Sequence, residues 1–282
     1  MFWVRLASSV VIVIVMAASL KLGGVVLNAL LCFVSIVGLE EMLRALGVHK
    51  KENRPLETVP ILGTVVIYVL LAVQSVMGQY VADDVTPVYG ILVFTVILLL
   101  AVYVIRFPYY HAAQIIPVVF AFVYVPVMLS FISLTSAIPD IGHKAVWLIF
   151  VSAWGSDTCA YCVGLLTGKT IGNHQAFPRL SPHKSVEGCV GGIVGAALLG
   201  ALFGNLLFGA EYAGGVAFVS GVGSVISQCG DLAASAIKRD FNIKDYGKLI
   251  PGHGGILDRF DSVIFTAPCV YFLMYLLPGF TF

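Results

Sequence analysis

The sequence predicts an all-α integral membrane protein, a polytopic helical bundle with about nine transmembrane helices. Three observations predict it. Of 282 residues, 59% are hydrophobic and only 11% are Asp, Glu, Lys or Arg, whereas soluble domains carry roughly 25% charge. Apolar runs near the ~20 residues that cross a bilayer recur along the whole chain. The basic residues fall in alternate loops, as the positive-inside rule requires of a polytopic protein. A net charge of +1 gives no reason to expect a nucleic-acid partner.

The spans read in order as 5–20, 24–43, 59–77, 88–104, 113–134, 145–166, 188–208, 213–234 and 262–277. The first, in "MFWVRLASSVVIVIVMAASLKLGG", places Arg5 before an apolar core, as a signal peptide would. The second span starts almost at once, so the first is read as a retained helix of a hairpin. Pro and Gly clusters such as "NRPLE", "IPDIG" and "LLPGF" punctuate the later boundaries. Arg44, Lys50, Lys51 and Arg54 follow the second span, and Arg106 follows the fourth. Lys169, Arg179 and Lys184 follow the sixth; Lys238, Arg239, Lys244, Lys248 and Arg259 follow the eighth. The odd loops carry only Lys21 and Lys144, and "ADDV" after the third span is acidic. The N-terminus and the even loops are therefore expected in the cytoplasm and the C-terminus outside. No internal repeat or low-complexity tail divides the chain. It reads as a single membrane domain, 1–282, in which 1–135 has no assigned role. Residues 144–282 form the catalytic part, with polar cytoplasmic loops at 167–187 and 238–261.

Chemistry is expected on those two loops and the helix ends that meet them. Asp157 and Asp231 lie inside apolar spans, where a carboxylate costs upwards of ~2.5 kcal/mol and is functional by default. The bland alternative is a structural carboxylate bonded to a neighbouring helix. Asp258 and Asp261, spaced i and i+3, share a helix face about 5–6 Å apart at Cβ. With Asp231 they make an oxygen-ligand set for Mg²⁺, and a second cation is left open. Capping of the last helix would account for one of these acids but not for Asp231. "KRDFNIKDYGKLIPGHGG" adds Lys238, Arg239, Lys244 and His253, with Gly254 and Gly255 letting backbone approach a ligand. Taken alone, such basic residues more often meet lipid headgroups. Beside a divalent site they suit a polyphosphate. "LSPHKSVEG" contributes Ser181, Lys184, Ser185 and Glu187, with "SVEG" also readable as a helix N-cap. The six cysteines lie mostly in apolar runs, and Cys159 and Cys162 have no second pair to complete a zinc site. His49, His111, His143 and His174 stand singly and receive no role.

The run "SAIKRDFNIKDYGKLIPGHGGILDRFD", 235–261, resembles the signature of the phosphatidate cytidylyltransferase (CDP-diacylglycerol synthase) family: S-x-x-K-R, then K-D, then H-G-G-x-x-D-R-x-D. "DTCAYCVGLLTGK" through "LSPHKSVEGCVGG" resembles a second region, with His183 and Ser185 where the family commonly has Lys and Thr. The resemblance covers the C-terminal half; the first four spans share only the hydrophobic layout. It implies transfer of CMP from CTP to phosphatidic acid, giving CDP-diacylglycerol and pyrophosphate in phospholipid biosynthesis. It implies Mg²⁺ on Asp231, Asp258 and Asp261, with Lys238 and Arg239 also catalytic. Asp157, Ser181, Lys184, Ser185, Glu187, Lys244, His253, Gly254, Gly255 and Arg259 are expected to meet substrate. The lipid bilayer, which the resemblance implies is a bacterial cytoplasmic membrane, supplies one substrate, and homo-oligomeric assembly is left open. A CTP-dependent polyprenol kinase would share nucleotide and metal. An ion-coupled transporter would share intramembrane acids, but its inverted repeat is missing.

Overall fold

The computed structural model describes residues 2–49, 53–77, 85–170, 172, 174–250 and 254–276. Among them, nine helical rods follow one another. The first four are α1 (Phe2–Leu22), α2 (Gly24–Ala45), α3 (Arg54–Met77) and α4 (Thr86–Ile105). The fifth is α5 (Ala112–Phe122) continued through a π-helical turn, Val123–Val127, into α6 (Met128–Ser136). The sixth is α7 (Gly142–Phe150) continued through a second π turn, Val151–Gly155, into α8 (Ser156–Thr170). Then come α9 (Val186–Leu207), α10 (Ala213–Asp240) and α11 (Leu257–Leu276). Seven rods are long and apolar enough to cross a membrane. Of the other two, α1 offers the shorter apolar stretch Ser8–Leu22, and α11 opens on Asp258, Arg259 and Asp261.

The structure departs from the sequence reading in three places. Two expected uninterrupted helices each contain a π turn. In the first, Pro126 has no N–H for the α-helical ladder, and the buried Tyr68 hydroxyl donates to its carbonyl at 3.2 Å. Loop 167–187 is largely structured: α8 runs to Thr170, and strands β1 (Gln175–Phe177) and β2 (Ser181–Ser185) pair antiparallel. Finally, α10 continues six residues past the expected end at 234, so Lys238 and Arg239 form its last turn. Basic side chains there complement the negative end of the helix dipole.

The chain divides into two compact units. The first comprises Met1–Pro139 together with Phe241–Phe260, so the polar loop expected with the C-terminal helices packs among the N-terminal ones. Its centre is α2, which contacts α1, α3, α5 and α6. Buried polar side chains on α2 find partners across the unit: Ser133 Oγ donates to Asn28 Oδ1 at 2.8 Å, and Ser35 Oγ lies 2.8 Å from Tyr68 Oη. Such pairing removes the desolvation cost of a polar group in an apolar interior. On α3, Gly63 allows close contact with Thr95 of α4 and Phe122 of α5.

The second unit comprises Asp140–Asp240 and Asp261–Phe282. Its α9 buries Gly188, Gly192, Ala196, Gly200 and Gly204, every fourth residue and therefore one face. That stripe meets Ser156 and Ala160 of α8 at one end, and Val216 and Ser220 of α10 at the other. Small-xxx-small seams of this kind let apolar helices pack backbone against backbone. The close packing brings the N-terminal end of α9 against the α8 and α10 residues that carry the acids.

Candidate active site

In the second unit, α8 opens directly after its π turn with Asp157 in the first turn. Asp157, Tyr161 and Gly164 follow one another at i, i+4 and i+7, hence on one face. They face Lys184 and Ser185 at the end of β2, and Gly188 and Cys189 in the first turn of α9. These residues line a cleft of about 360 Å³. Ser185 is the N-cap of α9: its Oγ accepts from Gly188 N at 3.0 Å. The cap reading of "SVEG" thus holds, and it fixes Lys184 at the cleft wall. Lys184 Nζ lies 2.6 Å from Asp231 Oδ2 on α10. Gln228, one turn before Asp231, donates from Nε2 to the Cys189 carbonyl at 3.0 Å and ties α10 to the start of α9.

Asp261 completes the cluster. It is buried in the second turn of α11, and its Oδ1 accepts from Ser262 N at 2.8 Å. Asp231 and Asp157 act on it as like charges and Lys238 as the opposite one. Gly230 lets α10 approach this point: a Cβ there would stand 2.9 Å from the Asp261 carbonyl oxygen. Three carboxylates and two ammonium groups, contributed by α8, β2, α10 and α11, are thus linked by one ion pair and by the charges that act on Asp261. Oxygen-only donors suit a hard cation such as Mg²⁺. Among the described residues, no three His, Cys, Asp or Glu side chains are close enough together to grip a metal as they stand. The donor chemistry fits the cation; Lys184 already holds one of its oxygens.

The first unit contains the glycine segment. Asp258, buried in the first turn of α11, accepts through Oδ2 from Tyr246 N at 2.9 Å and from Gly255 N at 3.0 Å. Glu41, buried on α2, accepts from Ile256 N at 3.2 Å through Oε1 and from Leu257 N at 2.9 Å through Oε2. An isolated bridge joins Ile250 to Gly254. The glycines have steric reasons to be there. Gly254 has φ +83, and a Cβ on it would stand 2.8 Å from Asp258 Oδ2. A Cβ on Gly247 or Gly255 would run into the Glu41 carboxylate. The N–H group of Gly255, a glycine expected from the sequence to let backbone approach a ligand, is engaged by Asp258, and those of the next two residues, Ile256 and Leu257, by Glu41.

The remaining expected residues are placed as follows. Arg259 is half-buried, and its Nε is buried with no hydrogen-bond partner. Lys238 is half-buried and Arg239 exposed at the end of α10; Lys244 is exposed in the segment between α10 and α11. Ser181 opens β2. Glu187 receives the backbone N–H of His174 at 3.1 Å, and the His174 ring lies 2.6 Å from it. His174, given no role from sequence, therefore closes the base of the hairpin. His253 lies outside the described residues. Glu41 was missed altogether. An acid inside an otherwise apolar span was the signal that could have found it.

Comparison with known proteins adds the family. Residues 3–277 match the model of a group described as the cytidylyltransferase family, well beyond the C-terminal half that the sequence signature covers. A phosphatidate cytidylyltransferase of Bacillus subtilis (strain 168) is 30% identical over 273 residues, 96% of each chain. One from Brucella suis biovar 1 (strain 1330) is 38% identical over 130 residues, 46% of each chain. One from Staphylococcus aureus (strain COL) is 38% identical over 136 residues, 47% of this chain and 50% of that one.

Proposed function

From the premise that this chain belongs to the cytidylyltransferase family, we propose that it is a phosphatidate cytidylyltransferase working at a membrane surface. CTP and phosphatidic acid are its substrates, CDP-diacylglycerol and pyrophosphate its products. One observation carries the siting: the cleft walled by Asp157, Lys184 and the start of α9 borders the Lys184–Asp231 ion pair, and the charges of Asp231 and Lys238 act on the buried Asp261. A phosphate oxygen of phosphatidic acid attacks the α-phosphorus of CTP, the bond to the β-phosphate bridging oxygen breaks, and pyrophosphate leaves. A phosphomonoester with second pKa near ~6 is already largely dianionic at neutral pH. No strong general base is required, and catalysis lies in orientation and charge neutralisation.

Asp231 and Asp261 would hold Mg²⁺. The ion, when bound, supplies Lewis-acid stabilisation of the phosphates. Lys184 and Lys238 neutralise the α-phosphate and the departing pyrophosphate. Arg239, Lys244, His253 and Arg259 contact the triphosphate. Asp157, Ser181 and the Ser185 cap shape the lipid-phosphate side, with Glu187 securing the hairpin behind them. The multi-pass chain would expose the segments before α9 and α11 to the cytoplasm, where CTP resides, with the C-terminus outside.

The test is a detergent-micelle assay of purified protein with α-labelled CTP, phosphatidic acid and Mg²⁺, with and without EDTA. Label entering the lipid phase with release of pyrophosphate, abolished by EDTA, is the expected result. Transfer of label from γ-labelled CTP to an isoprenoid alcohol instead would replace this reading with a lipid kinase.

A further inference from the structure

The buried carboxylate of Glu41 has no part in the chemistry above, yet two features tie it to the segment that opens α11. It accepts two consecutive backbone N–H groups, those of Ile256 and Leu257. Gly247 and Gly255, from the two arms of the segment, both press against it where no side chain would fit. Asp258 binds the same arms through Tyr246 N and Gly255 N. Its charge opposes that of Glu41, while Arg44, on the next turn of α2, attracts it. Two like charges held close in a buried site persist only where fixed N–H dipoles compensate them. The positive end of α11 supplies that compensation.

We infer that Glu41 is a positioning residue for the proposed transfer: it holds the turn 254–257 and thereby sets where Asp258 and Arg259 stand. The inference rests on the reaction proposed above. Asp258 binds the arms of the segment to each other, whereas Glu41 fastens them to α2, the central helix of the unit. The buried, unpartnered Nε of Arg259 follows directly on the held residues, so displacement of the turn displaces the guanidinium. A carboxylate suits this position better than an amide, because both of its oxygens accept and both N–H groups must be satisfied. Glutamine would turn an N–H₂ toward one of the two donors.

The experiment compares wild type with Glu41→Gln and Gly247→Ala in micelles by two readouts. Amide exchange of 244–257 is expected to accelerate about tenfold or more in both variants, with α9 and α10 unchanged. The kcat/KM for CTP is expected to fall by about tenfold or more, mainly through KM, with KM for phosphatidic acid nearly constant. A cap serving stability alone would lower the melting temperature and leave the KM for CTP of the folded enzyme at its wild-type value; that result overturns the inference. So does unchanged exchange over 244–257 in both variants. Should Glu41→Gln fail to fold, Gly247→Ala, which intrudes on the same carboxylate from the other side, decides alone. Should wild type form no nucleotide-bearing lipid, the reaction reading fails, and the exchange arm still decides whether Glu41 holds the turn.

Discussion

Lys184→Met separates a metal role for Asp231 from a purely structural ion pair. Methionine keeps most of the aliphatic stem of lysine and removes the charge. In the structure the ammonium lies 2.6 Å from Asp231 Oδ2, and the two side chains are 20% and 30% exposed. Unit charges at that distance attract by ~1.6 kcal/mol in bulk water and by ~6 kcal/mol at an effective dielectric of ~20. Desolvation and side-chain ordering offset much of this. Exposed pairs retain ~0.2–1 kcal/mol, and breaking a fully buried pair costs ~3–5 kcal/mol; a half-wet pair belongs between them, near ~1–2 kcal/mol. A magnesium ion binding Asp231 must displace the ammonium or share its oxygen. Removing Lys184 abolishes that competition, so Mg²⁺ should bind ~5–30-fold more tightly. Transfer should move the other way: kcat/KM falls because a phosphate-neutralising cation is gone.

Magnesium-dependent thermal shifts in micelles, with the Mg²⁺ dependence of CMP transfer, read both signs on one preparation. Tighter metal with slower transfer is the expected outcome. A folded variant whose Mg²⁺ affinity is unchanged or weaker would refute the reasoning, because Lys184 would then not compete with a metal at Asp231.

Three further outcomes follow from particular contacts. Gly230→Ala places a methyl 2.9 Å from the Asp261 carbonyl and 3.0 Å from Phe265 Cβ; overpacking should cost ~1–3 kcal/mol, read by denaturant unfolding in detergent. Ser185→Ala removes the bond from Gly188 N and should cost ~1 kcal/mol, with Ser185→Thr restoring most of it; equal losses in both variants would deny the cap. Tyr68→Phe removes the buried hydroxyl that donates to the Pro126 carbonyl and pairs with Ser35 Oγ and should cost ~1–3 kcal/mol, measured the same way.

Much of the architecture was legible because membrane helices announce themselves by length and apolarity, and their order by alternating charge. The details that escaped are those decided by partners distant in sequence. Pro126 lies inside a span expected to be uninterrupted, and the carbonyl of that residue in the π turn accepts from the hydroxyl of Tyr68, far away in sequence. The hairpin before α9 consists of strands of three and five residues, too short for a period-2 pattern to emerge. It is closed by His174 and Glu187, which look unrelated in sequence. The stripe at 188, 192, 196, 200 and 204 has its meaning only when Ser156, Ala160, Val216 and Ser220 fill the facing side.

The site shows the same division between what spacing reveals and what it hides. Asp258 and Asp261 look equivalent in "DRFD", two acids one turn apart. Their surroundings differ in kind. Asp258 accepts two backbone N–H groups that close a loop, whereas Asp261 is buried with Asp231 and Asp157 as like-charged neighbours and Lys238 as the counter-charge. The first environment compensates a carboxylate with fixed dipoles and favours order. The second leaves excess negative charge that an added cation would relieve, which is the electrostatic condition for metal binding. Glycine in "HGG" divides similarly. Richness in glycine before a helix suggests a phosphate cradle, but at Gly255 the Glu41 carboxylate occupies the space a side chain would need. A glycine that admits an anion and a glycine that admits a glutamate look alike in sequence, and only the partner from α2 tells them apart.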